Sequence, residues 1–599
     1  MIFLPETLDL DEAELALLQQ EVAMAKPVKQ LSFADLQLPC YLVEDESFEL
    51  NGQRRAGVWY CYQTEANQRR SATQHVVRIC SPLYIDAVTN SEDGRYFGRL
   101  LRYKDTFGNW RKWPMPMELL RGSGEEIRGE LLAFGVEIEW KQRHRLMDYL
   151  QSFVPPKVVT SVTRTGWTAK GHSFVLPGSI IGAQDVFLQS DGISHINTIG
   201  CGGDFRQWQS LAACCIGNPI LIVSVCVALA GPLLAKVHHD SGGIHWTGDS
   251  SSGKTTALQL AASVWGDQHF KRSWRATANG LESIAVALSD TCLCLDEINE
   301  ADPQEVGSIV YCLGNGTGKT RANKLGAAKQ VQHWRLSILS SGERPVNKVL
   351  EENGKQAKAG QLLRLLSIRA NRQFGLFDDL HHFQDGREFS NYLKQQCARH
   401  YGHAGIKFVE YLISQGDEDF IETLSILEAQ FTHTDPQSAR VASRFAVYAM
   451  AGELASEAGI LPWQSGVALQ ACQLIYRQWQ TERGHGLTES QQILQNVRTY
   501  ILKFGDTRFT DKNNPEEKPR GDRSGWYMDQ GEERIYLFSG EELEIAGGKF
   551  GLTRILDALE EAHWIADRYS DKRYKKITIK GHGKLCLYCI SPREEEAHA

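Results

Sequence analysis

The 599-residue chain has no excess of basic charge: 65 Lys and Arg stand against 73 Asp and Glu, a formal net charge of −8. That excludes a uniformly basic packaging or coat protein, yet leaves room for a local basic channel in an acidic molecule. The amino end, MIFLPETLDLDEAELALL, shows no basic stretch followed by an apolar one, so no signal peptide is expected. Long hydrophobic runs are scarce. The longest, Pro219 to Ala235, includes Ser224 and Pro232 and is short for a membrane span, so a buried helix and no membrane contact are expected. Paired cysteine motifs are missing as well. The 14 cysteines are scattered, Cys292 and Cys294 lie in an apolar run, and Cys586-Leu587-Tyr588-Cys589 stands alone. This pattern gives neither a disulfide framework nor a zinc cluster and suits a reducing, cytoplasmic compartment. There is no repeat, heptad array, low-complexity tract or acidic triad of a primase polymerase.

What is present divides along the chain. At roughly 100–200 residues per domain, the length predicts about three to five domains. Residues 1–50 hold an acidic amphipathic helix from about Asp9 to Ala25. Residues 51–195 alternate strand patterns and turns, with helices near Glu125 to Phe134 and Gln142 to Phe153, and read as an α+β module. Residues 196–375 read as an α/β nucleotide-binding core, and 376–480 as helical. Residues 481–599 open on a turn at Gly484-His485-Gly486. They continue through a polar stretch, FTDKNNPEEKPRGDRSG, expected to be an exposed loop.

The strongest motif is Gly248-Asp249-Ser250-Ser251-Ser252-Gly253-Lys254-Thr255. It matches the phosphate-binding loop, with a strand pattern before it and a helix pattern from Thr256. Backbone N–H groups and the helix N-terminus favour phosphate oxygens there. Lys254 is expected at the β- and γ-phosphates of ATP and Thr255 on Mg²⁺. A second apolar strand, Thr291 to Leu295, ends in Asp296-Glu297. Asp296 suits the metal shell, and Glu297 suits the base that activates water. A third strand, Trp334 to Leu339, ends in Ser340-Ser341, either of which suits orientation of that water. Arg344 follows, and Arg364 and Arg369 are further arginines able to reach a neighbour's γ-phosphate. Gly314 to Arg321 mimics a second phosphate loop, but its glycines are too close together. A basic loop contacting a nucleic-acid backbone through Lys319, Arg321, Lys324 and Lys329 fits better, with a solvated hairpin as the plain alternative. Near the C-terminus, a helix from Phe550 to His563 precedes a hairpin made basic by Lys572, Arg573, Lys575, Lys576, Lys580 and Lys584. This resembles a winged helix, a module that contacts DNA phosphates or another protein.

The spacing fits an additional-strand phosphate-loop ATPase, AAA+-like, with the sensor strand between the two motif strands. The expected fold is therefore α/β and multidomain, with an α+β N-terminal module, a helical region and a winged-helix-like C-terminal module. Together with Arg78 to Leu83, Arg164-Thr165-Gly166-Trp167, Phe174 to Pro177, Asn315-Gly316 and Gly318-Lys319, these motifs resemble the domain-of-unknown-function 927 family of phage, plasmid and genomic-island ATPases. The resemblance spans roughly residues 55–590. It implies a primase-helicase type protein, or its helicase half, similar to hexameric replicative helicases. Implied partners are single-stranded or forked DNA, five further copies of the chain, and a separate primase or replication protein. A replication initiator, or an ATP-driven remodelling or phage-defence ATPase, are the alternatives.

Overall fold

The computed structural model describes residues 29–65, 71–183, 185–189, 199–319, 331–352, 359–416, 419–484, 489–514, 517–531, 533–548 and 550–592. The helix expected between Asp9 and Ala25, the Gly484-His485-Gly486 turn beyond its first residue, and Arg321, Lys324 and Lys329 lie outside the described residues. The architecture is mixed α/β and multidomain. The chain divides into two compact units, Met1–Tyr476 and Arg477–Ala599.

The first unit is organised around the apolar run. Pro219–Lys236 is a helix opened by proline at its first turn, where the missing N–H costs nothing. By length and composition it could cross a membrane. In the fold, every residue from Ile220 to Leu234 is buried. Pro232 removes the donor that would have bonded the Ala228 carbonyl. The indole Nε1 of Trp265 donates to that oxygen instead, at 2.7 Å. Two more indoles satisfy the helix: Trp167 donates to the Pro232 carbonyl at 2.8 Å and Trp246 to the Ser224 hydroxyl at 3.0 Å. A helix apolar all round thus becomes the spine of the core, its few polar groups paired.

Against this helix lies a five-stranded sheet in the order Arg272–Ser273, Thr291–Asp296, Leu336–Gly342, Gly242–Thr247, Leu365–Arg369. All its pairings are parallel. The three central strands are buried almost throughout, as a parallel sheet covered on both faces requires. Register aligns Thr247 with Gly342 and Arg369, and Leu295 with Ser340. The carboxyl ends of these strands therefore share one edge, the usual place for a ligand in such a sheet.

The N-terminal part folds as expected into strands and two helices, Glu125–Ala133 and Arg143–Ser152. Its larger sheet runs Val186–Leu188, Val158–Val162, Leu83–Ser91, Gly98–Lys104, Trp110–Pro116. Its core gathers Ile79, Leu83, Leu101, Met115, Ile127, Leu131, Leu146 and Leu150. Gly386–Arg399, His403–Ser414, Phe420–Glu428, Pro436–Glu457 and Val467–Gly484 form the helical region.

In the second unit, the helix Leu552–Glu561 precedes the hairpin Lys575–Ile579 and Gly583–Ile590. The polar stretch is not wholly loop: Phe509–Asp511 forms a strand parallel to Gly525–Gln530. Phe509 is buried against Tyr536 and Phe538, and that apolar anchor outweighs the polar residues after it.

Gly231 touches the acidic strand directly; a side chain there would overlap the Thr291 carbonyl. Gly231→Val is expected to destabilise the first unit by roughly 1–3 kcal/mol, the usual effect of overpacking. Its thermal midpoint, followed by calorimetry, should fall by several degrees; an unchanged midpoint would contradict this packing.

Candidate active site

The phosphate loop leaves the strand Gly242–Thr247 and enters the helix Lys254–Ala262. Gly253 caps that helix at φ 99°, a left-handed conformation that glycine adopts without strain. A side chain there would also strike Leu376. Ser250 and Ser251 are exposed, while Lys254 is buried. The Lys254 ammonium donates to the carbonyls of Gly248 at 2.8 Å and Asp249 at 2.6 Å, and to Ser252 Oγ at 3.3 Å. Burial pulls its pKa down, opposed by Glu297, Glu343, Asp249 and Asp296. Thr256 faces the other way, its hydroxyl 2.6 Å from that of Ser390. Its side chain holds the helix to Gly386–Arg399, so only its backbone is available to a phosphate.

Asp296 is the meeting point. Its Oδ1 accepts from Thr255 Oγ1 at 3.3 Å and from Ser341 Oγ at 2.5 Å. Lys271 ion-pairs with the same carboxylate. The Ser341 hydroxyl also accepts the Glu297 backbone N–H at 3.3 Å. Glu297 has φ 56°, unusual for a residue with a side chain and worth a functional explanation. It ends the strand on a turn next to the phosphate loop. A hydroxyl beside a carboxylate is a hard oxygen donor pair, the kind Mg²⁺ takes with nucleotide phosphates completing its shell. Among the described residues, no group of three or more His, Cys, Asp or Glu is placed to hold a metal without such help.

The choice between the two serines resolves through strand alternation. Ser341 points to Asp296. Ser340 points into the sheet, where its hydroxyl accepts from Trp274 Nε1 at 2.8 Å and lies 2.9 Å from His245 Nδ1. His245 Nε2 is 3.0 Å from the Arg344 carbonyl. A carbonyl only accepts, so Nε2 carries the proton and Nδ1 accepts from Ser340. Ser340 is thus fully engaged and unsuited to orient water. His245, Trp274 and Lys271 were not singled out in the sequence; a histidine inside an otherwise apolar strand was the available signal.

The arginines are tied within their own chain. Arg344 donates from Nε to Asn299 at 3.1 Å and ion-pairs with Glu352. Arg364 precedes the strand Leu365–Arg369 and so lies at the sheet edge opposite the phosphate loop. It bonds Asn315 and the Gly360 carbonyl and stacks on Tyr311. Arg364 therefore takes no part in this chain's own phosphate site. Arg369, level with Thr247, is at the phosphate-loop edge.

Gly314 and Asn315 belong to the helix Pro303–Asn315, which Gly316 caps at φ 66°. Thr317 then forms an antiparallel bridge with His333, and Lys319, two residues on, is exposed. On the C-terminal hairpin, Arg573 pairs with Asp557 and Glu560, and Lys575 with Asp567. Lys572 lies over Tyr574 and, like Lys576, is exposed. Internal ion pairs thus reduce the basic patch expected there.

Two outcomes follow. Lys254→Ala should weaken binding of Mg·ATP by about tenfold or more, through loss of a charge-assisted contact; unchanged affinity by calorimetric titration would contradict the loop's role. Burial pushes His245 down to about 4 from its ordinary 6.5. Its contribution to stability is complete above pH 6.5 and is lost as the pH falls toward 4, because only the unfolded chain takes up the proton. The loss is about 2 kcal/mol at pH 5. His245→Gln should flatten the drop in urea midpoint between pH 7 and pH 5; an equally steep drop would show that His245 is not the group responsible.

No curated protein matches. Among solved structures, that of "SCCmec type IV Cch - active helicase" superposes with a TM-score of 0.67 at 16% identity, covering 93% of this chain and 98% of that one. At that identity the likeness is one of fold. The family model of the domain of unknown function DUF927 matches residues 48–333. The matched stretch runs from the N-terminal strands through the acidic strand to His333.

Proposed function

We propose that the chain is an ATP-dependent DNA helicase or translocase of a mobile-element replication system, hydrolysing ATP at the subunit interfaces of a homo-hexameric ring. The observation that carries this reading is the strand order: Leu336–Gly342 lies between Gly242–Thr247 and Thr291–Asp296, so the glycine-rich loop, Asp296-Glu297 and Ser341 share one edge of the parallel sheet, the order that an additional-strand ATPase requires. The similar solved structure is that of an active helicase, which supports the reading at the level of fold.

In this mechanism the loop N–H groups and the helix beginning at Lys254 hold the phosphates. Lys254 exchanges its carbonyl partners for phosphate oxygens. Thr255 and Asp296 hold Mg²⁺, which when bound neutralises developing phosphate charge. Lys271 must yield part of its hold on Asp296 to allow this. Glu297 accepts the proton of the attacking water. Ser341 fixes both the Asp296 carboxylate and the Glu297 backbone. An arginine from the adjoining subunit, Arg344 before Arg364, stabilises the transferring phosphoryl group. Lys319, with Arg321, Lys324 and Lys329, grips one DNA strand. The winged-helix-like second unit contacts DNA phosphates through Lys576 and its neighbours. A replication initiator is the second reading, favoured by the exposed lysines 576, 580 and 584 on that hairpin.

The test is strand separation of a forked duplex. The wild-type chain should unwind it with ATP, Lys254→Ala should not, and Lys319→Ala should bind ATP normally but unwind several-fold more slowly. No unwinding and no stimulation of ATP turnover by single strands would contradict the helicase reading. Sequence-specific duplex binding lost in Lys576→Glu would favour the initiator.

A further inference from the structure

Two sequence motifs find no use in the nucleotide site: Arg164-Thr165-Gly166-Trp167 and Asn315-Gly316-Thr317. The fold brings them to one cleft of about 500 Å³, whose walls also include Lys236, Asp290 and Arg335. That volume is within the ~300–1,000 Å³ range of ligand-binding clefts.

The first motif is fastened to the core by its interior atoms. Thr165 Oγ1 donates to the Val286 carbonyl at 2.8 Å, and the Trp167 backbone N–H donates to Asp290 Oδ2 at 3.0 Å. Gly166, at φ 90°, lies so close to Asp290 that any side chain would overlap the carboxylate. These bonds hold Arg164 at the cleft without using its guanidinium. Arg335 is fixed likewise by its backbone: its N–H donates to Ser289 Oγ at 3.2 Å and its carbonyl accepts from Asp290. Neither guanidinium has a hydrogen-bonded or ion-paired partner among the described residues. Both feel only the longer-range attraction of Asp290, itself buried. Lys236 adds a third cation, its ammonium 4.5 Å from the Trp167 ring. Of the two carboxylates in the walls, Asp290 is spent on the Trp167 N–H and Asp240 is exposed. Unpaired guanidinium groups on a concave surface match phosphate oxygens in charge and in donor geometry.

Resting on the helicase reading, we infer that this cleft binds the phosphodiester backbone of a single nucleic-acid strand through Arg164 and Arg335. Its position explains how strand binding reaches the nucleotide. Ser241, Asp290 and Arg335 immediately precede or adjoin the strands whose far ends carry the phosphate loop, Asp296 and Ser341. Thr317 and His333, bridged to each other, border the same cleft. A strand held there touches the amino ends of the three strands that meet at the hydrolytic edge.

The test uses the full chain and a fluorescein-labelled oligothymidylate, read by anisotropy over a range of salt. Arg164→Gln with Arg335→Gln should weaken strand binding at least tenfold. It should also lower the slope of log affinity against log salt by about 1.4, two phosphate contacts at ~0.7 each. Mg·ATP affinity should stay as in the wild type, and Lys at both positions should restore most of the strand binding. Ala169→Glu leaves both arginines in place and guards against a folding artefact; a carboxylate at this exposed rim position should weaken strand binding several-fold. Unchanged strand affinity in both variants overturns the cleft while leaving the helicase reading intact. Absence of strand binding by the wild type overturns both. A second bound equivalent of free ATP, lost in the double variant with strand affinity unchanged, would make the cleft a small-nucleotide site and overturn the proposal.

Discussion

One carboxylate holds the centre of this molecule together. Asp296 is bonded by Thr255 from the phosphate-loop helix, by Ser341 from the neighbouring strand and by Lys271 from the segment leading to the edge strand. These groups meet only because the parallel strands end level with one another, and the strands end level because their register is fixed from Gly242 to Gly342. The register rests in turn on the buried helix Pro219–Lys236, whose Gly231 lies against the Thr291 backbone. Apolar burial therefore sets the position of the one charged group on which the proposed chemistry depends. Lys271 on Asp296 adds a further constraint: a cation beside the carboxylate offsets its charge until a metal competes for the same oxygens.

Much of this was legible in the sequence because its signals are local. The phosphate loop is eight contiguous residues with a strand pattern before it and a helix pattern after it. Asp296 and Glu297 end an apolar strand, and the long apolar run was read as a buried helix. Other features depend on partners distant in sequence. Ser340 and Ser341 are chemically identical, and only the direction of strand alternation, fixed by packing, separates them. His245 and Trp274 gain their roles from Ser340, 95 and 66 residues away. Thr256 belongs to the motif by position, but its hydroxyl is taken by Ser390 from the helical region. Arg364 lies at the opposite edge because it precedes its strand rather than following it. On the C-terminal hairpin, counting basic residues overstated the exposed charge, since acidic partners come from the preceding helix and strand.

The two ends of the central sheet carry different chemistry. At the carboxyl end, backbone N–H groups, a lysine, a hydroxyl and paired acids suit a nucleotide with its metal. At the amino end, guanidinium groups without partners suit a second polyanion. Strands of six or seven residues, nearly all buried, join the two, and a buried sheet transmits strain rather than absorbing it. The neutral His245 links the phosphate-loop strand to Ser340 and to the Arg344 carbonyl in the same layer. A small shift of one strand therefore has a direct route to the next.

Glu297 as the group that activates water at this edge is the central element of the proposed chemistry. Phosphate release from Mg·ATP by the Glu297→Gln chain, measured with its nucleotide affinity, tests that most directly. Affinity should stay within a few-fold of the wild type while the rate of phosphate release falls by about 10² or more, the scale of a lost general base. A Glu297→Gln chain that releases phosphate at the wild-type rate would contradict that role.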